Sequence, residues 1–399
     1  MTDLNINTIL KPEIQKFITE NLQNPISEVA LKLSKAKKLP AKEILSQLKG
    51  RQKAKNKIPS WFEIPQIIFP EGISIEQCSS EITAHYKSSL VSGNKLIDLS
   101  AGFGVDAAFF SKVFNKVLLV EPNKELIEIA AHNFSLLNIK NTSFYNEQAE
   151  DFIENYKEQV DCIYIDPSRR SSDNRKQINL KDCAPDIIQL QTSLFKVSPR
   201  ILIKTSPLLD IHAALTQLKN TKKIIILAYQ NECKEVLYLL ERNFSGLPVI
   251  EAVNIKANTR DIFSFTIPEE ENTDVDYALP LTFLYEPNAA ILKGGAFKII
   301  AQRYNVKKLH ANSHLYTSEE KIENFPGRYF NVKAVSRYNK KDILALLSEK
   351  KANITVRNFK ESVKEIYKKI NIQEGGTEYI FATTGPDNKP IIIICTPFK

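Results

Sequence analysis

The run Lys95-Leu96-Ile97-Asp98-Leu99-Ser100-Ala101-Gly102-Phe103-Gly104-Val105-Asp106 decides how the rest of the chain is read. An apolar stretch ends on a carboxylate, and a loop of small residues then opens a helix. Glycine lets backbone approach a ligand closely, and a helix N-terminus presents unpaired N–H groups to it. Gly102-Phe103-Gly104-Val105-Asp106-Ala107 also satisfies G-x-G-x-x-A, the fingerprint of dinucleotide-binding loops. Two ligand classes therefore stand open, a nicotinamide dinucleotide and S-adenosylmethionine. In the dinucleotide fingerprint the glycines follow the strand at once and a pyrophosphate sits on them. Here Asp98 stands four residues before Gly102. A carboxylate there repels pyrophosphate but suits a zwitterionic amino acid. The loop thus favours S-adenosylmethionine, with Asp98, Ser100, Gly102, Gly104 and Asp106 as its candidate contacts.

Moving outward, Val117-Leu118-Leu119-Val120 ends at Glu121, where an acid accepts the ribose hydroxyls of either cofactor. Gln148 follows the third apolar run, where an adenine-contacting polar group belongs; it reads equally well as part of a helix N-terminal cluster. The fourth run, Cys162-Ile163-Tyr164-Ile165, ends in Asp166-Pro167-Ser168-Arg169-Arg170. In an open sheet whose strand order reverses between strands one and four, both strand ends border one crevice. Asp98 and Asp166 then face one ligand from two sides, with Pro167 fixing the backbone beside Asp166. The alternative for Asp166 is a helix cap. Arg169, Arg170 and Lys204 are candidate contacts to a substrate phosphate.

Strand-like runs at Lys95–Leu99, Lys116–Glu121, Thr142–Asn146, Cys162–Asp166, Arg200–Lys204, Lys223–Tyr229 and Phe263–Ile267 alternate with helical stretches such as Lys124–Phe134 and Ile187–Phe195. This alternation predicts an α/β fold, a doubly wound, mostly parallel sheet with helices on both faces. The 399 residues leave room for further domains. Residues 1–72 read as helical, with Ile26, Val29, Ala30 and Leu33 at helical spacing and a second helix ending at Gly50. The core is expected over 73–268, a linker over Pro268–Asp276, and small α/β modules over 277–324 and 325–399. The last holds a helix at Lys360–Ile370.

Charge is unevenly spread. Residues 1–60 carry 12 Lys/Arg against 5 Asp/Glu, and residues 331–370 carry 11 against 4, so a mildly acidic centre has basic flanks. Such flanks fit either phosphate-backbone binding or solvated helical faces. Trp61 follows the first basic run and either stacks on a base or anchors a small domain to its neighbour. The five scattered cysteines form no C-x-x-C pair, which argues against disulfides and zinc ribbons. No cysteine follows Asp166-Pro167 to attack a pyrimidine, and Cys183 is the nearest loop candidate. His310 and His314 lack the glutamate of H-E-x-x-H, so no metal site is expected. Without a leader or an 18-residue apolar run, a cytoplasmic protein with no membrane partner is expected.

Asp98-Leu99-Ser100-Ala101-Gly102-Phe103-Gly104 resembles the first motif of class I methyltransferases, Glu121 their ribose-binding acid, and Asp166-Pro167-Ser168-Arg169 their catalytic-loop motif. Ile75-Glu76-Gln77-Cys78-Ser79-Ser80-Glu81-Ile82-Thr83 resembles the preceding helix, which implies cofactor contacts from Gln77, Ser80 and Thr83 at the methionine end. The whole chain is similar to a bacterial family of these enzymes with a ferredoxin-like segment, here opening at Tyr285-Glu286-Pro287-Asn288, and a THUMP-like domain, here carrying Asn353–Phe359 and Gly375–Tyr379. The resemblance implies S-adenosylmethionine as cofactor, Asp166 and Pro167 as catalytic residues, and an RNA substrate such as structured tRNA or rRNA. The chain departs from the amino-group methyltransferases, whose motif continues with proline and an aromatic where Ser168-Arg169 stands. Two other functions stay in play: a nicotinamide-dependent oxidoreductase and a catalytically silent RNA-binding protein.

Overall fold

A strand buried on both faces must be apolar along its whole length, and Leu96 and Ile97 are fully buried at the centre of a parallel sheet. In the computed structural model, which describes residues 6–36, 39–70, 73–169 and 180–398, strand β1 (Gly93–Asp98) pairs in parallel with β2 (Phe114–Val120) on one side and β4 (Cys162–Ile165) on the other. β3 (Thr142–Tyr145) extends the sheet beyond β2, and Arg200–Thr205 extends it beyond β4, again in parallel. The strand order therefore reverses on either side of β1, as expected, and the loops after β1 and β4 leave the same edge. The fold is α/β with a mostly parallel sheet.

Residues 1–222 with 237–245 form one compact unit, and residues 223–236 with 246–399 a second. The first unit opens with helices α1 (Ile6–Ile9), α2 (Pro12–Glu20), α3 (Ile26–Lys35), α4 (Ala41–Lys57) and α5 (Pro59–Phe62). Helix α4 does not stop at Gly50 but runs on through the basic stretch to Lys57. Gly50 is there for close approach: a Cβ on it would lie 2.5 Å from Phe69 Cβ. Buried Arg51 donates to the carbonyls of Phe62 and Ile64, and Gln47 exchanges hydrogen bonds of 2.7 and 3.0 Å with the Phe69 backbone. Asn133, on the helix Lys124–Leu136, does the same for Ile68 at 2.8 and 2.9 Å. The segment after α5 is thus gripped by α4 and by the Lys124–Leu136 helix. Trp61 is buried and meets Phe103 edge-on, with ring centroids 5.8 Å apart, so it anchors rather than offering a face to a base.

The second unit holds the strand residues 223–229, paired in parallel with Val249–Ile255, which pairs antiparallel with Arg260–Thr266. Val249–Ile255 and Glu232–Glu241 escape the sequence reading because a lysine, glutamates and an asparagine interrupt or flank their apolar residues. Pro268–Asp276 is not simply a linker. Thr266 and Glu269 form a capping box over helix Ile267–Asn272, and the Glu270 carboxylate accepts the backbone N–H groups of Lys298 and Ile299. A seven-stranded, largely antiparallel sheet follows, with the buried Glu286 carboxylate held by both Arg328 and Arg357. The helix expected from Lys360 starts at Val363, because Ser362 and Glu365 cap it there. His310 bonds Asn388 at 2.9 Å, and His314 stacks on Phe297, its pKa lowered to about 4 by burial and by Lys308 and Arg357. Among the described residues, no helix is long and apolar enough to cross a membrane.

In an unhindered helix, Gly→Ala stabilises by about 1 kcal/mol. Gly50→Ala is expected to do the opposite, because Phe69 must shift, destabilising by about 1–3 kcal/mol. A lowered midpoint in urea unfolding checks this.

Candidate active site

The loop after β1 turns tightly over the sheet edge. Ala101 donates from its backbone N–H to the Val120 carbonyl at 3.1 Å, and Gly104 to Ala101 at 2.8 Å. Gly104 has φ +92°, and a Cβ there would meet the Phe134 ring at 2.6 Å, so the position admits only glycine. Glu121 ties this loop to the end of β2. Its carboxylate accepts the backbone N–H of Gly102 and that of Asn123, each at 2.9 Å. Burial pushes its pKa up against those two bonds.

A cleft of about 330 Å3 opens above the loop. Its wall includes Gln77, Ser100, Gly102, Gly104, Asp106, Glu121, Gln148 and Asp166 from the sequence reading. Asp98 lies one layer behind, almost wholly buried, accepting the Ser100 N–H at 3.1 Å. Burial pushes its pKa well above the usual carboxylate range, and the neighbouring charges of Asp106, Asp166 and Glu121 push it further the same way. Ser80 is not on the wall either: it is the N-cap of helix Glu81–Leu90, accepting the Thr83 N–H at 3.2 Å. Gln148 precedes helix Ala149–Asn155 without capping it through its side chain.

Asp106 carries a buried network that the sequence did not announce. Lys87, fully buried, lies 3.1 Å from one carboxylate oxygen, while Ser79 and the Tyr164 hydroxyl each donate to the other at 2.8 Å. Lys87 also donates to Ser79 at 2.7 Å. Burial alone would raise the Asp106 pKa. Lys87, Lys204 and the two hydroxyl donors outweigh it and leave the pKa below the ordinary value. Lysine is seldom buried unless paired, so Lys87 is legible only once Asp106 is seen beside it.

Asp166 sits just past β4, opposite the Arg200–Thr205 strand. Its backbone N–H donates to the Ser100 hydroxyl at 2.6 Å, and its carboxylate is ion-paired with Lys204. Lys204 is thereby directed at Asp166. Pro167 is partly exposed and stands between Asp166 and Ser168, which line the wall. Arg170 and the Arg169 side chain lie outside the described residues. Cys183 is buried beside Ala184 and Pro185 of the wall, and burial holds the Cys78 thiol up at about 11.

The crystal structure of a protein from Porphyromonas gingivalis W83, assigned as a methyltransferase, matches with a TM-score of 0.85 at 28% identity, over 97% of this chain and 98% of that one. Family models described as conserved hypothetical protein 95, ferredoxin-like domain and THUMP domain-like match residues 78–183, 283–326 and 327–397. The chain has a methyltransferase fold with ferredoxin-like and THUMP-like domains. A Clostridium acetobutylicum protein named an uncharacterized RNA methyltransferase is 35% identical over 99 residues, 25% of this chain. The chain spans 22% of the length of that curated relative.

In this methyltransferase fold the Asp98 carboxylate has a folded-state pKa above its unfolded value near 3.8. Ionising it therefore costs stability, a cost that begins above the unfolded value and is complete above the folded one. Asp98→Asn keeps the acceptor for Ser100 and removes that cost. The variant is expected to melt higher than the parent at pH 8, with the difference vanishing towards pH 3, as read by calorimetric melting across pH.

Proposed function

We propose that the protein is an S-adenosylmethionine-dependent RNA methyltransferase using the cleft above the β1 loop. The observation that carries this reading is the sign of charge at the cleft. Asp98, Asp106, Glu121 and Asp166 gather there against Lys87 and Lys204, so carboxyl groups outnumber cations, and Asp106, Asp166 and Glu121 each push the Asp98 pKa up. Such a site suits a cationic ligand and opposes a pyrophosphate. S-adenosylmethionine, when bound, supplies a methyl group already activated on a sulfonium.

The chain's own residues then bind and orient. Gln77, Ser100, Gly102, Gly104, Asp106, Glu121 and Gln148 hold the cofactor, with Asp98 contributing field from behind Ser100. Ser80 and Thr83 act by fixing the start of the helix that follows Gln77. Asp166, held by Lys204 and by the Ser100 hydroxyl, orients the acceptor or takes its proton, and Pro167 stiffens the backbone beside it. Holding the acceptor in line accounts for most of the acceleration in such a transfer. Arg169 and Arg170, with Lys204 acting through Asp166, complete the substrate side. An RNA acceptor, tRNA or rRNA, is supported by the THUMP-like match, by the name of the Clostridium relative and by the basic flanks. In this reading 1–72 and the modules at 277–324 and 325–399 grip the RNA, 73–268 performs the chemistry, and the enzyme works in the cytoplasm.

Calorimetric titration is expected to give micromolar-range binding of S-adenosylmethionine, weakened by Asp98→Asn, and no heat with NADH. Asp166→Ala should keep that affinity yet lose about 10²- to 10⁴-fold in methyl transfer to tRNA or rRNA pools. Binding of NADH alone would make the protein an oxidoreductase. Salt-dependent RNA binding without any transfer would make it a silent binder.

A further inference from the structure

Helix α4 carries its charge asymmetrically. Ile44, Gln47, Leu48, Gly50, Arg51 and Ala54 are buried on one side. Lys42, Lys49 and Lys53, at i, i+7 and i+11, share the opposite side within a sector of about 40°, spread along about 16 Å of axis. All three are exposed. Lys55, also exposed, projects about 140° away from that stripe. The helix has one acid, Glu43, against six bases, of which Arg51 is buried on carbonyl oxygens and Lys57 is half-buried on others.

One end of the stripe meets the residue that precedes the cleft wall. Lys53 is ion-paired with Glu76, and Lys57 donates to the Ile75 carbonyl at 3.0 Å. The next residue, Gln77, is on the cleft wall, followed by Cys78 and Ser79. The Lys53–Glu76 pair is half-exposed on both sides, so it contributes little and exchanges readily for a stronger anion. Just past the end of α4, Trp61 seats edge-on against Phe103 of the β1 loop.

We propose that the Lys42–Lys49–Lys53 face of α4 is the track for the phosphodiester backbone of the RNA substrate, leading it to the cleft. The proposal rests on the RNA reading above and adds where the strand runs. A row of lysines at helical pitch suits a polyanion of regular charge spacing, and phosphates, being strong acceptors, compete with Glu76 for Lys53. No base is read by these side chains, so the track binds without sequence preference and acceptor choice is left to the cleft.

The test is fluorescence-anisotropy binding of bulk tRNA to the full chain, without cofactor, over a salt series. Lys42→Gln/Lys49→Gln is expected to lower the slope of log K against log salt by about 1.5, at ~0.7–0.9 per phosphate contact removed. The same variant should bind S-adenosylmethionine like the parent, which also verifies its folding. Lys55→Gln, on the same helix but off the stripe, should leave the slope unchanged. An unaltered slope in the double variant overturns the proposal, and so does a loss in Lys55→Gln about half that of the double variant, equal per lysine removed, which would signal diffuse charge only. A parent protein that binds no RNA would instead remove the RNA reading itself.

Discussion

The pairing of Lys87 with Asp106 puts a full positive and a full negative charge inside the protein, and the cleft is arranged around that fact. An isolated buried ion is so costly that neither side chain tolerates the loss of the other. Ser79 and Lys87, just before and within the helix Glu81–Leu90, and Tyr164 on β4 converge on one carboxylate. The start of the helix after the β1 loop, the helix Glu81–Leu90 and strand β4 are thereby fixed in mutual position. Buried pairs of this kind add little net stability compared with an apolar packing, but they restrict the arrangements that the chain can adopt. A site that must place a methyl acceptor within a fraction of an ångström benefits from that restriction.

The same logic extends to Glu121 and Asp166 of the wall. Glu121 spends its oxygens on two backbone N–H groups, so the glycine loop is held to β2 rather than hinged on it. Asp166 is held by Lys204 and through its backbone by Ser100, which links the loops after β1 and β4. At Asp98 burial and like charges outweigh the one bond it accepts from the Ser100 N–H. Stability is given up at that position, and perturbed ionisation in a cleft commonly accompanies function. The helices before the core serve the same end, because Arg51, Gln47 and Asn133 satisfy the backbone of the segment that carries the chain from α5 into the core.

Most of the core was legible because its signals are local. A parallel strand is an apolar run, a ligand loop needs glycine, and acids at strand ends stand out against both. The expected order reversal at β1 follows from the handedness and length of βαβ connections. Elsewhere local signals misled. Gly50 read as a helix stop because glycine usually ends helices, whereas here it makes room for Phe69. Acidic, proline-containing Pro268–Asp276 read as a linker because its capping box depends on Thr266, inside the preceding strand.

By itself the sequence determined the α/β class, the loop that carries the glycines, and the acids at the ends of strands one, two and four, since these depend on neighbours within a few residues. Only the tertiary structure decided which of them reach the cleft wall, that Asp98 stands behind it, that Lys204 is spent on Asp166, and that Lys87 and Tyr164 belong to the site at all. Those outcomes depend on distances between residues far apart in the chain, here up to 58 positions for Tyr164 and Asp106. No local pattern encodes a charge whose partner arrives from another element; burial and pairing are properties of the folded packing alone.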